Sequence, residues 1–139
     1  MIPCFICSFC FQEVPHSEDY DYHTCYEVGD QLHRRELKLF LDDVRDPPDT
    51  SWHVVRTAQQ CIDFMRVRSN LIDVASFDHD LGSETETGYT VMKWIEREVV
   101  RDKDFWPPKS IVFHTSNPVG RMNMYRAAMS ISALLEKRV

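Results

Sequence analysis

The 139-residue sequence lacks a long apolar run, an excess of positive charge and the glycine motif of a phosphate-binding loop. Because no stretch of about 18 consecutive residues is apolar, we expect no membrane-spanning segment. A formal net charge of −6 argues against broad, nonspecific attraction to a nucleic-acid backbone, although a local basic patch keeps nucleic acid open as a partner. A G-x-x-x-x-G-K pattern is absent, so nothing supports a P-loop nucleotide hydrolase.

The composition, with 43% hydrophobic and 27% charged residues, is typical of one ordinary globular domain with a small appendage. The N-terminal stretch MIPCFICSFCF is apolar, but it has no basic start and three cysteines interrupt it. We therefore expect no secretory signal peptide and a cytoplasmic protein.

Four of the five cysteines fall within the first 25 residues. In a cytosolic chain such clustering favours metal binding over disulfides. A C-x2-C pair begins at Cys7 and an H-x-C pair ends at Cys25, so two pairs of donors can close a tetrahedral zinc site. Four protein ligands leave no open position for substrate, and the zinc is therefore expected to be structural. The favoured ligands are Cys7, Cys10, His23 and Cys25.

Two alternatives stay open for the zinc ligands. Cys4 forms a competing C-x2-C pair with Cys7. His16 can replace His23. A segment of about 30 residues cannot bury enough apolar surface to fold unaided, so a metal would explain its order. We therefore expect a zinc-knuckle-like segment over residues 1–30 and a main domain over residues 31–139.

Four apolar stretches of the main domain have the pattern of β-strands, and three of them end in polar residues. The three are LKLFLDD (37–43), VASFDHD (74–80) and SIVFHTSN (110–117), and the fourth is WHVVR (52–56). Helical patterns separate the later strands. This alternation predicts an α/β fold, with an open parallel sheet in the flavodoxin-like order 2-1-3-4 and helices on both faces.

Three helices are predicted in this domain, over 58–68, over 90–100 and from about Gly120. Apolar residues at helical spacing predict which side chains are buried. In the second helix these are Val91, Trp94, Ile95 and Val99. In the last helix they are Met122 or Met124, Met129, Leu134 and Leu135.

Parallel strands bring their carboxyl ends to one edge of the sheet, and ligands of open α/β sheets bind there. The polar residues that end the three strands therefore form one candidate pocket. Its members are Asp42, Asp43, Asp78, His79, Asp80, His114, Thr115, Ser116 and Asn117.

Two imidazoles among carboxylates suit acid–base chemistry near neutral pH. His79 and His114 are the candidate acid and base, in either order, and Asp78 or Asp80 can orient one of them. Phosphoryl oxygens need cations or hydrogen-bond donors. The candidates for that role are Arg45, Thr115, Ser116 and Asn117.

The residues resemble a known family at four places. These are LFLDDVRDPP (39–48), the W…VRT stretch (52–57), SFDHDLG…TGY (76–89) and HTSNPVG..NM (114–124). Together they resemble the cyclic-phosphate-processing receiver-like domains, a divergent subgroup of response-regulator receivers, over residues 37–130. The resemblance implies a receiver fold and chemistry on a cyclic phosphate. A signalling receiver also has a lysine at the end of a fifth strand, and neither that strand nor that lysine is predicted here.

Several carboxylates in one pocket repel one another and an anionic substrate, so a cation must neutralise them or some must be protonated. The receiver-like solution is Mg²⁺ held by Asp42, Asp43 and Asp78. A metal-free mechanism with two histidines is the alternative.

Three functions compete. The first is a phosphoesterase that processes a cyclic phosphate, such as a 2′,3′-cyclic end of RNA or a cyclic nucleotide. The second is a noncatalytic receiver module that is phosphorylated on Asp78 or Asp80. The third is a zinc-knuckle adaptor, of the kind found in phage proteins, that binds nucleic acid or protein through an inactive α/β domain. The missing lysine and the extra histidines favour the enzyme.

Overall fold

The computed structural model describes residues 36–138 in full and, before them, only the backbone of three short strands. These strands are β1 (Ile2–Pro3), β2 (Thr24–Val28) and β3 (Gln31–Arg34), and they form an antiparallel sheet in the order β1-β2-β3. The chain divides into two compact units, Met1–Leu37 and Lys38–Val139. Strand β3 pairs with β2 within the first unit.

The second unit contains a parallel four-stranded sheet. Its strands are β4 (Lys38–Leu41), β5 (Trp52–Val55), β6 (Val74–Phe77) and β7 (Ser110–Phe113). They lie in the order β5-β4-β6-β7, which confirms the predicted order 2-1-3-4. The last residues of neighbouring strands pair in register, so all four strands end at the same edge of the sheet.

The helices are α1 (Ala58–Arg68), α2 (Gly88–Arg101) and α3 (Pro118–Glu136), and a 3₁₀ turn, Ser69–Leu71, follows α1. Helix α2 packs against both α1 and α3. The parallel sheet with its helices confirms the predicted α/β fold. None of the helices in residues 36–138 has the length and apolarity needed to cross a membrane.

Side-chain burial in the helices follows the predicted pattern in α2 and departs from it in α3. The predicted core face of α2 is buried, as Val91, Trp94, Ile95 and Val99 show. In α3 the buried face consists of Gly120, Met124, Ala127 and Ile131. Met129, which was predicted to be buried, is 58% exposed. The prediction was wrong for Met129 because the core side of α3 is the side that contains Gly120, Met124, Ala127 and Ile131. Met129 lies on the opposite side of the helix.

Candidate functional site

Three strand ends position the centre of the candidate site. Asp42 follows β4, Asp78 follows β6 and His114 follows β7, and the backbone N–H of each donates to a carbonyl of a neighbouring strand. Each of the three side chains offers a potential ligand atom, and these atoms lie within 4.8 Å of one another. The predicted convergence of the strand ends therefore occurs at these residues.

His114 is held from several sides. Its Nε2 lies 3.0 Å from Oδ2 of Asp42, and its Nδ1 lies 2.7 Å from Oγ of Ser76. The imidazole stacks on Phe40, with ring centroids 4.4 Å apart and planes 5° from parallel. Neither Ser76 nor Phe40 was predicted from the sequence to belong to the site. These contacts hold the imidazole ring in one position.

Asp42 is buried, with 1% of its surface exposed, yet its carboxylate is well supplied with donors. Oδ1 accepts the backbone N–H groups of Arg45 (2.7 Å) and Val44 (3.0 Å), while Oδ2 faces His114. Burial alone would raise the pKa of Asp42, but the hydrogen bonds from Arg45, Val44 and His114 outweigh it and lower the pKa. Asp42 is therefore a carboxylate at neutral pH.

The lowered pKa of Asp42 predicts a pH-dependent stability. An unfolded aspartate titrates near about 3.9, so Asp42 stabilises the fold fully above that pH and loses its contribution as the pH falls through the lower, folded value. We expect Asp42→Asn to be less stable than wild type at pH 7 and the two curves to converge in acid. Urea unfolding between about pH 3 and 7 measures this difference.

The control for that experiment is Asp63→Asn, since Asp63 is an exposed carboxylate on α1. Its curve is expected to run parallel to that of wild type. A parallel curve for Asp42→Asn as well would contradict the role assigned to the Asp42 hydrogen bonds.

A second imidazole–carboxylate pair follows β6. Nδ1 of His79 lies 3.1 Å from Oδ1 of Asp80, and Nδ2 of Asn117 donates to both oxygens of that carboxylate at 3.3 and 3.4 Å. The hydrogen bond from His79 is the main cause of the lowered pKa of Asp80, and Asn117 adds to it. Asn117 also caps α3, because its Oδ1 accepts the N–H of Gly120 at 2.9 Å. One asparagine thus ties the start of α3 to this pair.

Gly120 lets the His79 ring lie against the first turn of α3. A Cβ atom at this position would lie 2.3 Å from Cγ of His79. Only a residue without a side chain permits that approach. The glycine therefore sets the position of the imidazole.

Arg56, at the end of β5, holds the loop that carries Asp42 and Arg45. Its Nη1 donates to the carbonyl oxygens of Asp42 (3.1 Å) and Arg45 (2.8 Å), and its Nη2 lies 2.8 Å from Oδ1 of Asp46. Apart from its place in the W…VRT motif, Arg56 carried no sequence signal that assigned it to the site. Through these contacts Arg56 holds the backbone of the loop in place.

Arg56→Gln is expected to lower the free energy of unfolding by about 1–3 kcal/mol, because it removes charged hydrogen bonds to two backbone carbonyls. Asp46→Asn is the matched control, since it removes only the exposed ion pair and should cost less than about 1 kcal/mol. Urea denaturation measures both variants. Equal losses in the two variants would show that the ion pair, and not the carbonyl contacts, carries the effect.

Two guanidinium groups lie at the loop between β7 and α3. Nη1 of Arg45 donates to the carbonyl oxygen of His114 at 3.2 Å. Nη2 of Arg121 donates to the next carbonyl oxygen, that of Thr115, at 2.6 Å. Arg121 was not predicted to belong to the site, since its position in a helix gave no signal.

The other predicted residues are placed as follows. Asp43 does not belong to the group of potential metal ligands, which among the described residues consists of Asp42, Asp78 and His114. Thr115 is buried, and its hydroxyl accepts the N–H of Asn117 at 3.1 Å, which favours a structural role. Ser116 is exposed beside this loop.

The predicted acid and base, His79 and His114, belong to separate hydrogen-bonded groups, and within residues 36–138 no hydrogen bond joins them. The predicted zinc ligands Cys7, Cys10 and His23 lie outside the described residues. Of Cys25 only the backbone is described, as part of β2.

The model of the cyclic-phosphate processing receiver domain family matches residues 37–130. The chain belongs to this family. The match begins just before β4 and extends into α3, so it contains both imidazole–carboxylate pairs. No curated protein and no solved structure matches the chain. The family match confirms the resemblance found in the four sequence motifs and associates this receiver-like domain with cyclic-phosphate processing.

Proposed function

We propose that this cyclic-phosphate processing receiver domain is a phosphodiesterase that opens a cyclic phosphate by acid–base catalysis. The substrate class is a 2′,3′-cyclic end of RNA or a cyclic nucleotide. One observation carries the proposal: two imidazole–carboxylate pairs, His114–Asp42 and His79–Asp80, follow adjacent strands at one edge of the sheet.

Ring opening by water needs two proton transfers. The water oxygen forms a bond to phosphorus while the bond from phosphorus to one ribose oxygen breaks. A base takes a proton from the water, and an acid gives a proton to the leaving ribose oxygen, so a phosphate monoester and a free hydroxyl result. His79 and His114 supply the two roles.

Each imidazole has a carboxylate that stabilises its protonated form. For His114 that carboxylate is Asp42, which stays ionised because backbone N–H groups hold it. A carboxylate that is hydrogen-bonded to an imidazole holds the ring in one orientation and stabilises the imidazolium that forms during the reaction. Asp80 serves His79 in the same way, at a more exposed position.

The phosphoryl oxygens require compensation of their negative charge. The side chain of Arg45 is 60% exposed; it donates one N–H to the carbonyl oxygen of His114, and its Nε lies 4.0 Å from Oδ2 of Asp42. The other N–H donors of the guanidinium can reach an anion. Exposed Ser116 can add a hydroxyl donor at the same loop.

A divalent cation fits the centre of the site. Asp42, Asp78 and His114 would hold it, a set with one imidazole in place of the third carboxylate predicted from the sequence. Such an ion would neutralise the carboxylates and polarise a phosphoryl oxygen. Since Oδ2 of Asp42 and Nε2 of His114 are hydrogen-bonded to each other, the ion and this pair compete for the same atoms.

Turnover of 2′,3′-cyclic nucleotides and of RNA that ends in a 2′,3′-cyclic phosphate, measured by chromatography of the products with Mg²⁺ and with EDTA, tests the proposal. We expect a 2′- or 3′-monophosphate to form in at least one condition, and a 3′,5′-cyclic nucleotide serves as the specificity control. No turnover in either condition, together with stable labelling by acetyl phosphate, would support a phosphorylated receiver module instead.

We also propose that the N-terminal segment binds one structural zinc ion through Cys7, Cys10, His23 and Cys25. Native mass spectrometry of the full chain is expected to show one zinc, which Cys10→Ser removes. Cys4→Ser is the matched control and should keep the metal, because Cys4 belongs only to the competing ligand set. If Cys4→Ser loses the zinc and Cys10→Ser keeps it, Cys4 and not Cys10 is the ligand.

A further inference from the structure

We propose that one row of exposed side chains on α3 binds the nucleotides that precede the cyclic phosphate, so that the substrate is the end of a single-stranded RNA rather than a free cyclic nucleotide. The row, called here the α3 ridge, consists of Arg121, Tyr125 and Met129. This inference rests on the proposed function, since it names the substrate class of the same site.

The α3 ridge starts at the site. Residues four apart lie on the same side of a helix, and the ridge continues this spacing from Asn117, the residue that caps α3 and binds Asp80. From Asn117 to Met129 the row rises about 18 Å along the helix. A chain that leaves the site along α3 would therefore follow these side chains.

Two of the three ridge residues, Tyr125 and Met129, have large apolar side chains that are exposed to solvent. Tyr125 and Met129 are 56% and 58% exposed, while the buried face of α3 is complete without them. Large exposed apolar side chains that lie together commonly mark a binding surface. A tyrosine ring offers a stacking platform for a base of any sequence, and such stacking contributes about 1–3 kcal/mol per base.

The charge of α3 is complementary to a polyanion. The helix contains Arg121 and Arg126 and no acidic residue before Glu136, although the whole chain has a net charge of −6. The local basic character on this helix therefore differs from that of the rest of the chain. A nucleic acid fits this surface better than an acidic protein surface with no bases to stack.

The two arginines at the β7–α3 loop suggest how consecutive phosphates are held. Arg45 and Arg121 donate to adjacent carbonyl oxygens, and each guanidinium has five N–H donors. A substrate with a single phosphate needs one of them. In a polynucleotide, the phosphate next to the cyclic phosphate would bind the guanidinium of Arg121, the first residue of the ridge.

Fluorescence anisotropy with a labelled single-stranded RNA hexamer that ends in a 2′,3′-cyclic phosphate tests the inference. Tyr125→Ala is expected to weaken binding about 5- to 100-fold, and Tyr125→Phe is expected to restore it, since the ring alone is needed. Arg121→Gln is expected to weaken binding and to reduce its salt dependence by about one phosphate contact. Val100→Ala, at an exposed apolar residue of α2, is the matched control and should bind like wild type.

The inference is overturned if Tyr125→Ala binds the hexamer as tightly as wild type, or if wild type binds the hexamer no more tightly than a cyclic mononucleotide. It is also overturned if Tyr125→Ala changes only the oligomeric state seen in size-exclusion chromatography, which would make the ridge a protein interface. The binding assay needs no turnover. A failure of catalysis would therefore refute the proposed function while the role of the ridge is still measured.

Discussion

His114→Gln is expected to slow the opening of a 2′,3′-cyclic phosphate by about 10²- to 10⁴-fold, the usual contribution of a positioned general acid or base. Glutamine keeps hydrogen-bonding atoms in the site but cannot exchange a proton near neutral pH. The limb of the pH–rate profile that reports His114 should disappear in this variant. Steady-state kinetics between about pH 5 and 9 measure both effects.

Two neighbouring substitutions separate proton transfer from positioning. Asp42→Asn keeps the imidazole but removes the carboxylate that stabilises its charged form, so a smaller loss and a shifted pH profile are expected. Ser76→Ala removes only the hydroxyl at Nδ1 and is expected to have the smallest effect. If His114→Gln, folded as judged by circular dichroism, keeps the wild-type rate and pH profile, His114 is neither the acid nor the base.

Gly88→Ala is expected to destabilise the domain by about 3 kcal/mol. A Cβ atom at Gly88 would lie 2.0 Å from the carbonyl oxygen of Asp78, so the backbone of the β6–α2 connection must move. Helix propensity alone would make Gly88→Ala stabilising, since it favours alanine over glycine by roughly 0.5–1 kcal/mol. The expected change in stability therefore has the opposite sign. Urea unfolding of the variant measures the loss, and a gain in stability would contradict the close approach.

Gly120→Ala is the matched comparison, because its added methyl group would meet a side chain and not the backbone. The His79 ring can rotate away, so a stability loss of about 1 kcal/mol is expected. The displaced imidazole should instead cost about 10²-fold in turnover. Full activity in Gly120→Ala would show that the position of His79 against α3 is unimportant for catalysis.

The centre of the site could be predicted because strand ends are easy to locate in this sequence. Asp42, Asp78 and His114 are polar residues at the ends of apolar runs, and the crossover rule for parallel strands places such residues together. The sheet order came from likeness to the flavodoxin-like fold, because the crossover rule sets the handedness of a connection and not the order of the strands.

The supporting contacts could not be predicted, because they depend on side-chain reach and register. Ser76 lies inside an apolar strand and meets His114 only because β6 and β7 pair in register. Arg56 and Arg121 reach carbonyl oxygens across loops, and sequence spacing does not encode such distances. Met129 was wrongly predicted to be buried because α3 has methionines on both sides of the helix, and their spacing does not show which side faces the core.

The near-parallel stack of Phe40 on His114 gives this histidine a spectroscopic label of its own. Protons held over the face of a phenyl ring are shielded by its ring current, so the His114 signals should lie upfield of those of His79, which lies against the backbone of Gly120. Nuclear magnetic resonance can then follow the protonation of His114 separately in the wild-type chain. Phe40→Leu removes the ring-current shift of the His114 signals. The change in their position therefore assigns these signals without replacing the histidine.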